Sequence, residues 1–369
     1  MKHKFLIMAG GTGGHVFPAL AVAHELIGRG HEVEWLGTAR GIESRLIPET
    51  GIVLNIIPIE GIRGRGIFGL IKAPLLIAKA VMLSRKIIRE KNINAVIGFG
   101  GFASGPGALA ARTLNKPVIT HEQNAIAGTT NKLSSRFASR ILMAFAGAYK
   151  NSKTASVAQV VGNPVRQEII NLPAPSERVG AHSATTLRLL VVGGSLGALA
   201  INRLVPQAIA ALGSQYTVSV VHQTGKDHFE LTRELYREHK VDAEVKPFIA
   251  DMANAYLQCD LVICRAGALT VSELMAAGIG AILIPLPHAI DDHQTANAKI
   301  LEAADAGILL PQSDLDAQKL ATMIQQQFFI NSAKVNQPRL IAMGEAARSL
   351  SIPQSAQLVA DACEEAARG

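Results

Sequence analysis

"RLLVVGGSLGALAINRLVPQAI", residues 188–209, runs a short apolar strand into a glycine-rich turn and out into a helical pattern. The same grammar stands at the head of the chain in "FLIMAGGTGGHVFPALAVAHEL", residues 5–26. A strand, a glycine turn and a helix form the opening unit of a doubly wound parallel sheet. Its return half-way along the chain therefore predicts two such domains.

Working outward, "KFLIMA" (4–9) reads as a buried strand, followed by a helix from Pro18 to about Arg29. Further strands are expected at "HEVEWLG" (31–37), "NAVIGFG" (94–100) and "KPVITHEQN" (116–124). In the second half they fall at "YTVSVVHQTG" (216–225), "EVKPFI" (244–249), "DLVICRAG" (260–267) and "AILIPLP" (281–287). Strands alternating with helices imply an α/β fold, with parallel sheets covered on both faces. A polar, proline-containing stretch at 162–185 marks the junction, and the helix after Pro353 can pack on either half. Ligands of doubly wound sheets sit at the carboxyl ends of strands, so the expectation is a substrate cleft between two facing domains.

Charge narrows the partners. With 36 Lys and Arg against 29 Asp and Glu, the net charge of +7 favours an anionic ligand or surface. Aromatic residues are only 4% and no basic run is interleaved with them, which argues against nucleic acid. Cys259, Cys264 and Cys363 lack metal-ligand spacing and read as buried thiols of a reducing compartment. No apolar run approaches the roughly 18 residues of a membrane span.

The first glycine loop, Gly10 to Gly14 with His15 behind it, invites comparison with a dinucleotide fingerprint. Counted from Gly11, however, the G-x-G-x-x spacing ends on Val16. The strand that should supply an acidic residue to a ribose ends in Gly37 and Thr38, which argues against a nicotinamide-dependent oxidoreductase. No Lys-Ser or Lys-Thr pair follows, so a Walker loop is excluded. What is left is either a tight turn or a general anion cradle, and it occurs twice, the second at Gly193 to Gly197. Two cradles in parallel positions suggest group transfer between two phosphate-bearing ligands.

Several polar residues stand near these loops. His15 is suited either to take a proton from an attacking hydroxyl or to cap the helix and orient a phosphate. His121, Glu122, Gln123 and Asn124, with Asn131, place polar density at a strand end, for ligand contact or for a hydrogen-bonded loop. In "RAGALTVSELMAAG" (265–278), Glu273 can accept the vicinal hydroxyls of a ribose or simply complement the helix dipole. Gln294 and Asn297 offer neutral amides for sugar hydroxyls. The literal Asp-x-Asp at 314–316 reads as a helix cap, so no metal is expected. Diphosphate charge then falls to backbone N–H groups and an arginine.

Taken in order, "GGTGGHVFPALAVAHEL", "GFGGFASGPGALAA", "HEQNAIAGTTNK", "VGNPVR", "GGSLGA", "RAGALTVSEL" and "HQTANA" resemble the MurG family. These are UDP-N-acetylglucosamine:N-acetylmuramyl-(pentapeptide)-diphosphoryl-undecaprenol N-acetylglucosaminyltransferases of peptidoglycan synthesis. The resemblance implies a GT-B fold and an inverting transfer without cofactor or metal. N-acetylglucosamine would pass from UDP to the C4 hydroxyl of the muramyl sugar of lipid I, giving lipid II. Residues 1–163 with about 345–369 would form the acceptor and membrane-binding domain, and 164–344 the UDP-sugar domain. Donor contacts would be Thr12, Gly13, Gly14, Asn124, Arg166, Ser195, Ile249, Ala268, Leu269, Thr270, Val271, Ser272, Glu273 and Gln294. Among these, Glu273 is assigned to the ribose, the backbone near Ile249 to uracil, and the Ser195 loop with Thr270 to the diphosphate. His15, Glu122 and Asn131 match positions linked to acceptor binding or catalysis. Phe102 stands where the family often has tyrosine, and His293 where glutamine is common. Another GT-B sugar transferase or a sugar-nucleotide epimerase would share the donor half but need a different first half.

A polyprenyl acceptor calls for contact with a bilayer. In "GIFGLIKAPLLIAKAVMLSRKIIREK" (66–91), Lys72, Lys79 and Lys86 recur every seven residues, with Leu75, Leu76 and Leu83 beside them. Such a stripe is either the solvated side of a helix or a face for an anionic membrane. With a lipid substrate implied, the expectation is a peripheral protein on the cytoplasmic face of the inner membrane.

Overall fold

The structure is a computed structural model that describes residues 1–59, 66–150, 154, 156–194, 196–287, 292–332 and 334–368, with the side chains of 66–72 outside that description. The chain divides into two compact units, Met1–Arg166 with Ile352–Gly369, and Gln167–Ser351.

The first unit is built on β1 (Lys4–Ala9), β2 (Glu32–Gly37), β3 (Val53–Ile56), β4 (Ala95–Gly100), β5 (Val118–Glu122), β6 (Arg140–Met143) and β7 (Ala158–Val160). They form one sheet in the order β3-β2-β1-β4-β5-β6-β7, every pair parallel. The second unit contains β8 (Thr186–Val192), β9 (Thr217–Gln223), β10 (Ala243–Lys246), β11 (Leu261–Cys264), β12 (Gly280–Leu283) and β13 (Gly307–Leu309), in the parallel order β10-β9-β8-β11-β12-β13. Both sheets wind outward from their first strand and then reverse. The reversal lies between β1 and β4 in one unit and between β8 and β11 in the other.

Continuous apolar strands follow from this winding, because both faces of each sheet are covered. Phe5, Ile7 and Ala9 of β1 face Val16, Val22 and Leu26 of the helix Gly13–Gly28, together with Val359 and Cys363 of the last helix, Ser355–Arg368. Leu6 and Met8 point the other way, to Leu36, Ala80, Ile88 and Ala111. The last helix therefore belongs to the first unit's core. In the second unit Leu189, Val191, Ile201, Val205, Leu261 and Ile263 join Leu340 and Met343 in one cluster.

Two details depart from expectation. The first helix begins at Gly13 rather than Pro18, so His15 lies in its opening turn and Pro18 within the helix. Proline near a helix start forfeits few backbone bonds, and two glycines ahead of it take helical angles without side-chain crowding. Strands β3, β6, β7 and β13 carry too short an apolar run to read as strands alone, and Val53, Ile56 and Val160 on the edges are exposed. As expected, Asp316 caps a helix, its side chain accepting from Lys319 N at 2.8 Å.

Candidate active site

Each sheet places glycine turns on both sides of its reversal, the position where doubly wound sheets bind ligands. In the first unit Gly10, Gly11 and Thr12 follow β1, and Gly101 follows β4, with φ of +92° at Gly11, +108° at Gly100 and +82° at Gly101. A side chain at Gly101 would strike the carbonyl oxygen of Gly10, so the two turns touch backbone to backbone.

The first loop owes its shape to a residue that sequence reading missed. Glu43 is fully buried; its Oε2 accepts from Gly11 N at 2.9 Å, and its Oε1 from Thr38 N at 2.9 Å and Thr38 Oγ1 at 2.8 Å. Side chains at Gly10, Gly37 or Gly41 would run into this carboxylate. The signal was present as three glycines from separate segments that lack any turn-forming pattern in common. An acidic group thus does stand beyond β2, but it is spent on the chain's own backbone rather than turned to a ribose.

His15 projects from the first helical turn with Nδ1 2.9 Å from Gln123 Oε1. Its ring fills the space over Gly100, where an added Cβ would lie 2.9 Å from His15 Cε1. Glu122, at the end of β5, is buried and accepts four bonds: Asn124 N at 2.9 Å, Asn124 Nδ2 at 3.2 Å, Gly128 N at 3.0 Å and Asn131 Nδ2 at 2.8 Å. Glu122 and Asn131 thus fold the 123–128 loop around one carboxylate. Asn124 is half-buried beside them, and Phe102 is exposed. The Arg166 guanidinium lies over the Phe17 ring at 5.7 Å.

In the second unit Gly194 and Gly197 have φ of +84° and +77°, and Gly197 N donates to Gly194 O at 2.9 Å, closing the turn after β8. Ser195 lies outside the described residues. Across the reversal, β11 leads through Arg265, Ala266 and Gly267 into the helix Ala268–Ala277. Arg265 ties strand ends together, donating to Ile284 O at 3.1 Å, Pro285 O at 2.9 Å and Gln312 Oε1 at 2.7 Å.

Glu273 is buried, and Tyr256, also buried and unremarked in the sequence, donates its hydroxyl to Glu273 Oε2 at 3.1 Å. Ala268, Leu269 and Thr270 form the first turn, with Leu269 and Thr270 half-buried. Two members of this run face inward. Val271 is wholly buried in the core, and Ser272 Oγ donates to Ala268 O at 2.9 Å. Asn297 is likewise fully buried and donates to Ala266 O at 3.1 Å, so it braces the turn instead of meeting a sugar. Gln294 accepts from Leu286 N at 2.9 Å, and Ile249 is buried beside exposed Phe248.

The helices that leave these glycine turns share an omission. Gly13–Gly28, Leu199–Ala211 and Ala268–Ala277 start without a side-chain cap and without an acidic residue in the first turn. Asp251, Asp316 and Asn336 cap Met252–Leu257, Ala317–Phe328 and Gln337–Ser349, whereas Thr129–Ser134 and His293–Ala303 also start without a side-chain cap, so the omission is not confined to the glycine turns. Uncapped first-turn N–H groups with the positive end of a helix dipole suit an anion. Among the described residues no group of His, Cys, Asp and Glu could hold a metal ion. Burial pushes the Cys259 and Cys264 thiols up to about 12, which keeps them protonated.

On the helix Gly66–Glu90, Leu75, Leu76, Lys79 and Lys86 are exposed, as expected, and so are Ile77 and Met82. Leu83 does not join them: it is half-buried against the core formed by Ala80 and Ile88. The Lys72 side chain lies outside the described residues. No described helix is long and apolar enough to cross a membrane.

Two doubly wound parallel-sheet units in one chain, each with glycine turns on both sides of its reversal, are the architecture of the GT-B class. Residues 5–143 match the glycosyltransferase family 28 N-terminal domain, and residues 188–349 its C-terminal domain. A Cellvibrio japonicus protein is 57% identical over 366 residues, covering 99% of each chain, and one from Ectopseudomonas mendocina is 49% identical over 369 residues, covering 100% of each. Both are named UDP-N-acetylglucosamine--N-acetylmuramyl-(pentapeptide) pyrophosphoryl-undecaprenol N-acetylglucosamine transferase. The crystal structure of Acinetobacter baumannii MurG superposes with a TM-score of 0.83 at 39% identity, over 99% of this chain and 100% of that one. The chain belongs to the MurG family of family 28 glycosyltransferases.

Proposed function

We propose that the chain moves N-acetylglucosamine from UDP-N-acetylglucosamine to the C4 hydroxyl of the muramyl sugar of lipid I, with inversion, forming lipid II. The names of its relatives state this donor and acceptor. One observation in the chain itself carries the donor half. The helix Ala268–Ala277 offers open first-turn N–H groups and, one turn further on, the buried carboxylate of Glu273 steadied by Tyr256. That pairing suits a nucleoside diphosphate, whose phosphates take the N–H groups while the ribose hydroxyls donate to the carboxylate.

The remaining roles are those that the family resemblance implies. The Gly193–Gly197 turn, with Ser195 and Thr270, meets the leaving diphosphate, the backbone near Ile249 takes uracil, and Arg166, Asn124 and Gln294 contact the donor's edges. Thr12, Gly13 and Gly14 lie against the acceptor diphosphate and the edge of the donor, where the uncapped first helix favours negative charge. His15 receives the proton of the C4 hydroxyl. Glu122 and Asn131 act by holding the 123–128 loop, since the carboxylate already accepts four bonds. The first unit is thus the acceptor domain and the second the UDP-sugar domain. Leu75, Leu76, Ile77 and Met82, flanked by Lys79 and Lys86 and with Lys72 on the same stripe, rest on an anionic inner-membrane surface from the cytoplasmic side.

A transfer assay with labelled UDP-N-acetylglucosamine and a lipid I analogue tests this reading. Wild-type protein should give the disaccharide lipid, Glu273→Ala should raise the donor KM about a hundredfold, and Tyr256→Phe about fivefold, the loss of one buried hydrogen bond. No product from wild-type protein, or donor turnover that ignores the acceptor, would overturn it.

A further inference from the structure

The contact between His15 and Gln123 is the outer end of a longer chain. Gln123 Nε2 lies 3.0 Å from His121 Nδ1 and 3.0 Å from the backbone oxygen of His121, and His121 Nε2 lies 2.9 Å from Gly162 O. Two of these partners are backbone carbonyls, which can only accept. Their placement removes every ambiguity along the chain.

Begin at Gly162. Its carbonyl requires a proton on His121 Nε2, and complete burial holds that ring neutral, with its pKa lowered to about 4. His121 Nδ1 is therefore a lone pair. The atom of Gln123 that faces both this lone pair and the His121 carbonyl must be the amide nitrogen, because an oxygen there would meet two acceptors. The amide oxygen consequently faces His15, and His15 Nδ1 must donate to it.

We propose that His121 and Gln123 are positioning residues that hold His15 as the Nδ1–H tautomer and leave its Nε2 as the lone pair that receives the acceptor's proton. Which imidazole nitrogen carries the proton is set by the bond the other one makes. Gly100 contributes by its lack of a side chain, since a Cβ there would lie 3.0 Å from His15 Nδ1 and displace the ring. Phe99 packs against the His121 ring with centroids 5.2 Å apart, fixing the inner end.

This inference rests on the role of His15 given above. The C4 oxygen forms its bond to C1 of N-acetylglucosamine as the bond from C1 to the UDP oxygen breaks, and that electron pair leaves with UDP. The C4 hydroxyl proton passes to His15 Nε2. The resulting imidazolium still donates Nδ1–H to Gln123, whose neutral amide cannot take the proton further, so the proton returns to water from Nε2. A carboxylate in place of Gln123 would turn its second oxygen on the His121 lone pair and carbonyl, two acceptors, and would pair with the imidazolium, so the neutral amide is the group that suits both neighbours.

Nitrogen-15 NMR of ring-labelled histidine reads the tautomer directly, with the His15 signals assigned by their loss in His15→Gln. Wild-type protein should show His15 protonated at Nδ1 and unprotonated at Nε2. In Gln123→Met, which keeps the length without polar atoms, that preference should be lost, with kcat falling about a hundredfold and the donor KM staying within about twofold. A wild-type His15 protonated at Nε2, or a tautomer indifferent to Gln123→Met, overturns the inference. If the tautomer shifts while kcat is unchanged, the positioning stands and it is the proton-accepting role of His15 that fails.

Discussion

Glu43→Gln isolates the anchoring of the first glycine loop. The substitution preserves shape and removes the charge. Of the two carboxylate oxygens, Oε1 holds two donors of Thr38 and Oε2 holds Gly11 N alone. The amide therefore settles with its oxygen towards Thr38 and turns its NH2 group on the Gly11 N–H. One charge-assisted bond is lost, about 1.5–3 kcal/mol, and the two at Thr38 weaken to neutral strength. Relief from burying a charge offsets part of this, leaving a net loss of about 2 kcal/mol. Trp35 is the sole tryptophan and is fully buried, with its indole N–H donating to Ala9 O at 2.9 Å beside the loop, so its fluorescence reports this unit's unfolding. With a urea dependence of about 2 kcal/mol per molar, the midpoint should fall by about 1 M. Transfer should drop about tenfold or more, because the detached N–H belongs to the loop proposed to lie against the acceptor. An unchanged midpoint together with unchanged kcat/KM would refute this account of the loop.

Two other measurements bear on different parts of the molecule. His121 takes a proton in the unfolded chain near its ordinary value of 6.5 but in the folded chain only near 4, so its contribution is complete above 6.5 and is lost as pH falls towards 4. Between pH 7 and pH 5 the Trp35-monitored stability should decrease by about 2 kcal/mol, and a flat urea midpoint over that range would contradict the burial of a neutral His121. For the membrane face, Leu75→Glu with Met82→Glu should weaken sedimentation with phosphatidylglycerol vesicles about tenfold or more while leaving the urea midpoint in place, since both side chains are exposed. Equal sedimentation of variant and wild type would show that this face is merely solvated.

The winding of both sheets was legible because it rests on repetition: strand, glycine turn and helix announce a doubly wound unit wherever they stand, and β1 and β8 are long and apolar enough to be seen. Short edge strands such as β3 and β7 were not, for their pairing is decided by neighbours and not by their own residues. At the site, residues adjacent to a motif, such as His15 and Glu273, could be picked out. Glu43 and Tyr256 could not, because each reaches its partner from a different element and neither spacing nor periodicity links them. Leu83 shows the same limit in reverse: a seven-residue stripe locates one face of the helix, but the sheet beneath it decides how far round that face the core extends.

The repeated frame also explains why the two units can differ in chemistry at matching places. In the second unit Thr224 O, which a side chain at Gly197 would strike, accepts from Asn202 Nδ2 at 2.9 Å. Asn202 Oδ1 must then accept from His222 Nε2 at 3.0 Å, and His222 Nδ1 from the Tyr236 hydroxyl at 2.9 Å, a chain whose protons are again fixed by a backbone carbonyl. Burial holds this histidine neutral too, its pKa lowered to about 3. Yet this chain ends on the back of the glycine turn and braces it, whereas the one through His121 and Gln123 ends on His15 in the first turn of the helix that follows the glycine loop. Buried neutral polar chains thus set loop geometry in one unit and proton position in the other. Because every donor along them is matched, each can be rigid without placing a charge in the core, which leaves His15 and Glu273 as the groups proposed above to act on the ligands.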